Sequence, residues 1–363
     1  MPTARPTRPT LEAVAAHAGV SRATVSRVVN GGAGVRAEVR ERVRRSVRAL
    51  GYAPNIAARS LVTRRTGAVA VVIAEPESRV FTDPFFSRQL RGIGRELARH
   101  DTQSLLMLQE RDEDHERIGR YLAGGHVDGA LMFSLHGPPP GAAAVRAGLP
   151  TVYGGRPGWP GADADPGLSY VDADNAGGAR LAVTHLLAAG RRRIAVLTGP
   201  LDQTSAQDRL AGYHEALRAA GLEPEPSLAE NGGFTVEGGA RAMARLLERE
   251  PALDAVFAGS DQMAVGALRS LREAGRRVPG DVAVVGFDDL ESAAWTDPPL
   301  TTVRQDVEGM GRLMARLLLR RIAAGGAAPG PGEPEPEPGP AGPAEADTGP
   351  VITEARLVLR ESA

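Results

Sequence analysis

Apolar residues recur at helical spacing through residues 11–50 and gather into unbroken runs from residue 68 onward, so the chain changes architecture between the two. Leu11, Val14, Ala15 and Ala18 share one helical face, with Thr10 placed to cap the helix and Glu12 in its first turn. Gly19 suits the left-handed residue that ends such a helix, and Ser21 suits the cap of the next. In that second helix Val25, Val28 and Val29 can face inward while Arg22, Ala23, Ser26 and Arg27 face elsewhere. A third helix is expected over 36–50, where Val39, Val43, Val47 and Leu50 form a stripe that can close a three-helix core. Gly51 ends it and Pro54 prevents its continuation. Residues 55–61 read as a helical piece too short to be stable alone in water, within a linker spanning 52–66.

Beyond the linker, apolar runs alternate with amphipathic stretches. Strands are expected over 68–74, 104–108, 128–134 and 151–153, with helices over 85–99 and 114–123 and a short one within 138–148. The pattern then restarts with helix 175–189, strand 193–199, helix 205–220, a strand near 228, helix 235–249, strand 254–260, helix 261–275 and strand 282–288. That alternation predicts an α/β body of two lobes built on doubly wound parallel sheets, with a ligand cleft at the carboxyl ends of their strands. Residues 299–306 read as a segment crossing back to the first lobe, followed by helix 306–323 and a last strand over 351–361. The expected lobes are 67–170 with 304–324, and 171–303 with 350–363. Between helix and last strand, 325–349 holds only Gly, Pro, Ala and acidic residues apart from Thr348, a composition expected to stay disordered.

Charge separates the two parts. The net charge is −1 over 363 residues, yet residues 1–65 hold 13 Arg against 3 Glu, and the remainder is correspondingly acidic. A basic head on an acidic body is the footprint of nucleic-acid binding at one end. The paired short helices, with arginines opening the second, fit a DNA major groove; taken alone they fit an ordinary helical hairpin with solvated arginines as well. Every basic residue is Arg, which reads as codon bias rather than a functional choice. Cysteine is absent, which excludes disulfides, zinc fingers and thiol chemistry. No run of 18 apolar residues exists to span a membrane, and the amino-terminal MPTARPTRPT lacks the apolar core of a secretory signal, so a cytoplasmic protein is expected.

Two long stretches, TLEAVAAHAGVSRATVSRVVN with LGYAPNIAARSL, and GSDQMAVGALRSLREAGRRVPGDVAVVGFDDLE with PPLTTVRQD, resemble the LacI/GalR family of bacterial transcriptional repressors over nearly the whole chain. The resemblance implies a helix-turn-helix headpiece (1–51), a hinge helix, and a two-lobed core like periplasmic sugar-binding proteins. It implies a homodimer on a near-palindromic operator, with a small effector held in the cleft. By position in the family, Arg22, Ala23 and Arg27 fall on base-reading sites, and Thr10, Ser21, Thr24 and Asn30 on sites suited to phosphate contacts. Leu61 falls where the family wedges a leucine into the minor groove, and Asn55, Ala58 and Arg59 fall nearby. One departure is the opening of the third helix, Val35-Arg36-Ala37, where the family usually has a Ser or Thr cap.

For the cleft the resemblance implies Asp288, which can accept two sugar hydroxyls or bond a purine nitrogen, with Arg209 as its multi-donor partner. Phe85, Phe86 and Phe234 can supply apolar faces, and Ser205, Asp261 and Arg156 are candidates near the rim. A sugar or sugar derivative is the family default, with a nucleoside or purine as the alternative. Catalysis is not expected. Asp288 and Asp289 are adjacent at a strand end and point apart, GIGRE at 92–96 lacks the third glycine of a dinucleotide fingerprint, and no metal spacing, Walker motif or nucleophile elbow occurs. No cofactor is expected. The other readings of such a body are a transporter's solute-binding protein, against which the basic head speaks, and a sugar-acting enzyme, which lacks a catalytic constellation.

Overall fold

The computed structural model describes residues 9–29, 32, 34–53, 65–162, 167–325 and 349–363. They fall into two compact units, Met1–Thr66 and Gly67–Ala363.

The first unit packs α1 (Leu11–Ala18), α2 (Arg22–Val29) and α3 (Ala37–Leu50) around Val14, Ala15, Ala18, Val25 and Val43. The side chain of Thr10 accepts the Ala13 amide at 3.3 Å, and Gly19 and Gly51 end α1 and α3 in the left-handed conformation. Ser21 Oγ accepts the Thr24 amide at 3.2 Å, so the turn between α1 and α2 is fixed by local bonds. Arg36 precedes α3 with no side-chain cap, as the Val35-Arg36-Ala37 opening implies. His17 Nδ1 lies 3.0 Å from Ser46 Oγ and ties α1 to α3. The expected hinge, with Asn55, Ala58, Arg59 and Leu61, lies outside the described residues, as do Asn30 and residues 326–348 of the acidic insert.

The second unit holds two six-stranded sheets, ordered β11-β5-β4-β3-β1-β2 and β12-β10-β9-β8-β6-β7. The first comprises β1 (Ala68–Ile73), β2 (Gln103–Leu108), β3 (Gly129–Phe133), β4 (Thr151–Gly154), β5 (Tyr170–Ala173) and β11 (Val351–Thr353), all parallel. The second comprises β6 (Ile194–Thr198), β7 (Ala229–Asn231), β8 (Ala255–Ala258), β9 (Ala283–Asp288), β10 (Thr301–Arg304) and β12 (Arg356–Val358). Of these, β12 alone runs antiparallel, against β10. Each sheet reverses its strand order beside its first strand, the doubly wound arrangement whose ligand crevice opens at the strands' carboxyl ends. Val69, Val71 and Ile73 face one core and Ala70 and Val72 another, so both faces of the first sheet are covered.

The helices are α4 (Glu77–Thr82), α5 (Pro84–Arg99), α6 (Asp112–Ala123), α7 (Ala142–Arg146), α8 (Asn175–Ala188), α9 (Thr204–Ala219), α10 (Val236–Arg249), α11 (Asp261–Glu273) and α12 (Val307–Ala324). On the first lobe α5 packs against α12. A Cβ on Gly311 would collide with the Gln89 carbonyl oxygen, and one on Gly92 with that of Glu308, so glycine allows the close crossing.

Three sequence expectations change. Residues 351–361 form two three-residue strands, β11 in the first sheet and β12 in the second. The first sheet also takes β5, so it extends past residue 170. Residues 301–304 are a full strand of the second sheet, and the crossing to the first lobe follows in the few residues before α12. The chain therefore passes between lobes after β5, after β10 and after β11. Short strands carry little intrinsic preference, and their sheet membership is settled by partners distant in sequence.

Candidate functional site

In the helical unit the candidate DNA-contacting residues with described positions sit on α2 and at the caps of α1 and α2. Arg22, Ala23 and Arg27 are all exposed on α2. Arg22 Nε sits 3.0 Å from Glu12 Oε1, a solvated pair that holds the guanidinium at the start of the helix. Thr10 Oγ1 accepts the Ala13 amide, and its hydroxyl bonds the Glu12 carboxylate, which helps hold that acid below its ordinary range. Ser21 Oγ and Thr24 Oγ1 are 2.9 Å apart, which consumes one of their two hydroxyl protons and leaves the other. These residues offer guanidinium forks and a hydroxyl donor, the set that binds phosphate oxygens and guanine edges.

In the second unit a cavity of about 990 Å³, part of it open to solvent, lies between the lobes. Its second-lobe wall centres on Asp288, at the carboxyl end of β9, where φ is +110°. A non-glycine residue held there is strained, and such strain concentrates at functional sites. Asp288 Oδ1 accepts from Gln305 Nε2 at 2.5 Å and lies 3.7 Å from Arg209 Nη2. Arg209, projecting from α9, donates to Asn175 Oδ1 (2.9 Å) and to the Gly259 carbonyl (2.5 Å), and its guanidinium lies 3.7 Å from the centroid of Phe287. Asn175 in turn donates to Asp172 Oδ1 at 2.9 Å. The chain Asp172–Asn175–Arg209–Asp288 thus crosses from the end of β5 to the end of β9.

The first-lobe wall comes from α4, α5 and the loops after β3 and β4. Asp83 caps α5 by accepting the Phe85 amide at 3.0 Å, which fixes where Phe85 and Phe86 enter the cleft. Arg79, bound to Glu75, lies over Phe86 of its own lobe and Phe234 of the other, 5.6 and 5.4 Å from the ring centroids. Tyr153 and Trp159 meet edge to face at 5.1 Å. Polar bonds link the lobes at the margin. Thr204 Oγ1 donates to the Arg156 carbonyl (2.6 Å), Gln203 Nε2 to Glu75 Oε1 (2.9 Å) and Arg88 Nη1 to the Asp289 carbonyl (2.9 Å), while His136 Nδ1 lies 3.0 Å from Asp202.

Burial dominates the electrostatics. It pushes Asp288 up to about 7, against the pull of Arg209, and the nearby Asp83 adds to the push. Burial also raises Asp83 and Asp172, and lowers Arg209 despite the surrounding carboxylates. At the margin, burial would raise Glu75, but its bonds to His136, Arg79 and Ser134 prevail and hold it low. The Glu75 bond raises His136, ahead of the opposing effect of burial. Among the described residues no group of three His, Cys, Asp or Glu could hold a metal ion, and no helix is long and apolar enough to cross a membrane.

Phe85, Phe86, Arg156, Ser205, Arg209, Phe234 and Asp288 all line the cavity. Asp261 does not. It is fully buried beneath the second-lobe wall, where its carboxylate accepts from Thr302 Oγ1 (2.5 Å) and the Leu290 amide (2.7 Å), and serves the fold of that lobe. Burial and the neighbouring Asp288 raise it well above the usual carboxylate range. Asp289 turns away from the cleft to Arg304 (2.6 Å) and Arg360 (2.7 Å), as adjacent residues at a strand end should. Sequence reasoning missed Arg79, Gln89, Trp159, Asp172 and Asn175, all in the lining. The cluster DADN at 172–175, between strand and helix, was a signal for the last two.

Residues 10–55 match the family described as bacterial regulatory proteins, lacI family, and residues 183–339 match a periplasmic binding protein-like domain. The chain is 51% identical to the HTH-type transcriptional regulator CelR of Thermobifida fusca, over 87% of this chain and 92% of that protein. It is 36% identical to the ribose operon repressor of Escherichia coli K12, over 86% and 93%. Among solved structures, a transcriptional regulator CelR–cellobiose complex superposes with TM-score 0.73 at 45% identity, covering 98% of this chain and 100% of that one. The lac repressor dimer bound to operator and the anti-inducer ONPF superposes with TM-score 0.80 at 27% identity, covering 98% and 99%.

Proposed function

The chain belongs to the LacI family of bacterial regulatory proteins, and from that premise we propose that it binds a near-palindromic operator as a homodimer under the control of a sugar held between its lobes. The observation that carries the sugar reading is the second-lobe wall. A buried carboxylate with free acceptor capacity stands beside a multi-donor guanidinium and the Phe234 face, which together match hydroxyls and an apolar ring surface. The cellobiose named with the 45% identical CelR structure makes a β-linked glucose disaccharide the first ligand to try.

In this reading Arg22, Ala23 and Arg27 read base edges, while Thr10, Ser21 and Thr24 hold phosphates and set register. Asn30 joins the phosphate set, and Asn55, Ala58, Arg59 and Leu61 act at the minor groove, by their position in the family. One headpiece spans few base pairs, so two copies on symmetric half-sites supply useful specificity. Sugar binding favours one lobe closure over another and thereby biases the dimer between DNA-competent and DNA-incompetent states by its differential affinity. Work on chromosomal DNA places the protein in the cytoplasm.

The test is melting of the purified protein with a panel of mono- and disaccharides and nucleosides, followed by operator binding with and without any hit. A cleft ligand raises apparent stability by mass action. Cellobiose is expected to raise the melting temperature and to change operator affinity. A protein that binds no symmetric operator at moderate salt, or whose operator affinity ignores every stabilising ligand, is not such a regulator.

A further inference from the structure

At the first-lobe side of the cleft two buried polar atoms lack hydrogen-bond partners among the described residues. Gln89 is 2% exposed and lines the cavity. Its Nε2 faces Met314 Sδ at 3.1 Å, a weak acceptor, and its Oε1 has no hydrogen-bond partner among the described residues. Rotating the amide by half a turn would set the oxygen against sulfur and leave the NH2 group without a partner, so an unspent polar end remains in either orientation. The position is tightly specified. The α5–α12 crossing at Gly92 and Gly311 brings Gln89 in, and a Cβ on Gly154 would stand 3.0 Å from its Nε2 and 2.8 Å from the Phe133 Cβ.

A buried carboxamide oxygen without a partner destabilises the fold, and Met or Leu would fill this site beside Met314 and Phe133 without that cost. Breaking a packing rule at one place in a cleft marks a functional position. Arg79 repeats the pattern. Its Nε is buried with no partner among the described residues, although Glu75 and the rings of Phe86 and Phe234 hold the guanidinium still. Gln89 follows Phe86 by three positions on α5, which sets the two side chains on neighbouring turns, and Arg79 lies over the Phe86 ring. Among the described residues Arg79, Arg156 and Arg209 of the lining each face a carboxyl group, of Glu75, Asp208 and Asp288, an arrangement that does not favour an anionic ligand.

We propose that Gln89 and Arg79 are specificity-determining residues of the cleft, forming a second hydrogen-bonding wall that reads the ring of a neutral disaccharide not held by Asp288 and Arg209. Gln89 Oε1 accepts a hydroxyl of that ring, and Arg79 Nε donates to one of its oxygens. This rests on the sugar reading above and adds to it a requirement for two rings.

The experiment is calorimetric titration with cellobiose and with glucose of the full-length parent, Gln89→Met and Arg79→Lys, with ligand-free melting and operator binding recorded for each. The parent is expected to prefer cellobiose over glucose. Gln89→Met should bind cellobiose about tenfold more weakly with glucose affinity little changed, while its ligand-free melting temperature holds or rises. Arg79→Lys keeps the charge beside Glu75 but loses the Nε donor, and should narrow the same preference. Variants that bind cellobiose as tightly as the parent overturn the proposal alone, as does a Gln89→Met that melts lower and keeps its sugar preference, the behaviour of a structural residue. A parent that binds neither sugar overturns the sugar reading, and this inference falls with it.

Discussion

The helical unit and the interlobe cleft both place arginine at a candidate binding surface, and they hold it in opposite ways. On α2 Arg22 and Arg27 are exposed, and among the described residues Glu12 is the ion-pair partner of Arg22. In the cleft Arg209 is 7% exposed, shares Asn175 and the Gly259 carbonyl, and stands among three buried carboxylates. Solvated charge suits a polyanion, because the gain comes from displacing counterions along a surface and no burial has to precede it. A neutral sugar offers no such gain. It can be held only by dipoles fixed in advance, and fixing them means desolvating charge and straining backbone, as at Asp288. The headpiece should therefore tolerate change in its reading residues without loss of fold, whereas the cleft should trade stability for affinity.

The largest effect that separates the two regions is expected from Asp288→Ala. Losing a charged acceptor for two sugar hydroxyls should weaken the sugar by about a hundredfold or more and abolish the ligand-induced rise in melting temperature, with operator binding intact. Equal thermal shifts in variant and parent would remove Asp288 from the site. Next in size is Arg22→Ala, which should cost about 1–3 kcal/mol of operator affinity and relax preference at one base pair, read by binding to single-base operator variants, with sugar titration unchanged. A uniform loss across all sequences would instead make Arg22 a phosphate contact.

A pH effect follows from the cleft alone. Asp288 sits near 7 when unliganded, and hydroxyls donated to it favour the ionised form, so binding expels a proton. The complex holds fewer protons than the free protein, and sugar affinity should rise with pH, by at most about tenfold per unit, and level off above 7. Calorimetry in buffers of different ionisation enthalpy checks the proton count at pH 6; no net release would show that Asp288 keeps its state. The smallest effect belongs to the headpiece. Arg36→Ser supplies the cap that α3 lacks and should add about 1 kcal/mol to that unit, seen as slower proteolysis between residues 37 and 50 without a change in sugar affinity.

Legibility in the sequence followed range. The caps at Thr10, Gly19, Ser21 and Gly51 were readable because capping is a bond to a residue two to five positions away. The alternation of apolar runs with amphipathic stretches was enough to expect two doubly wound sheets. Helix α4 escaped notice because six residues, ESRVFT, are too few to show a period. Asp261 was misplaced for a related reason. A carboxylate after a strand commonly faces the crevice, but here the first residue of α11 turns inward to Thr302, which lies 41 positions on. Gln89 could not be found at all, since a glutamine on an amphipathic helix becomes informative only once α12 and β4 have buried it.

The three passages between lobes bear on how the protein is made. The first sheet borrows α12 and β11 from the last sixty residues, and the second borrows β12. A chain emerging from the ribosome can thus finish its helical headpiece early, whereas each lobe waits for the carboxyl terminus. A nascent chain stalled at residue 300 would carry a complete helical unit attached to a body whose sheets still lack β10, β11 and β12. The regulator's two parts are completed at different times, and the α/β body is the one completed last.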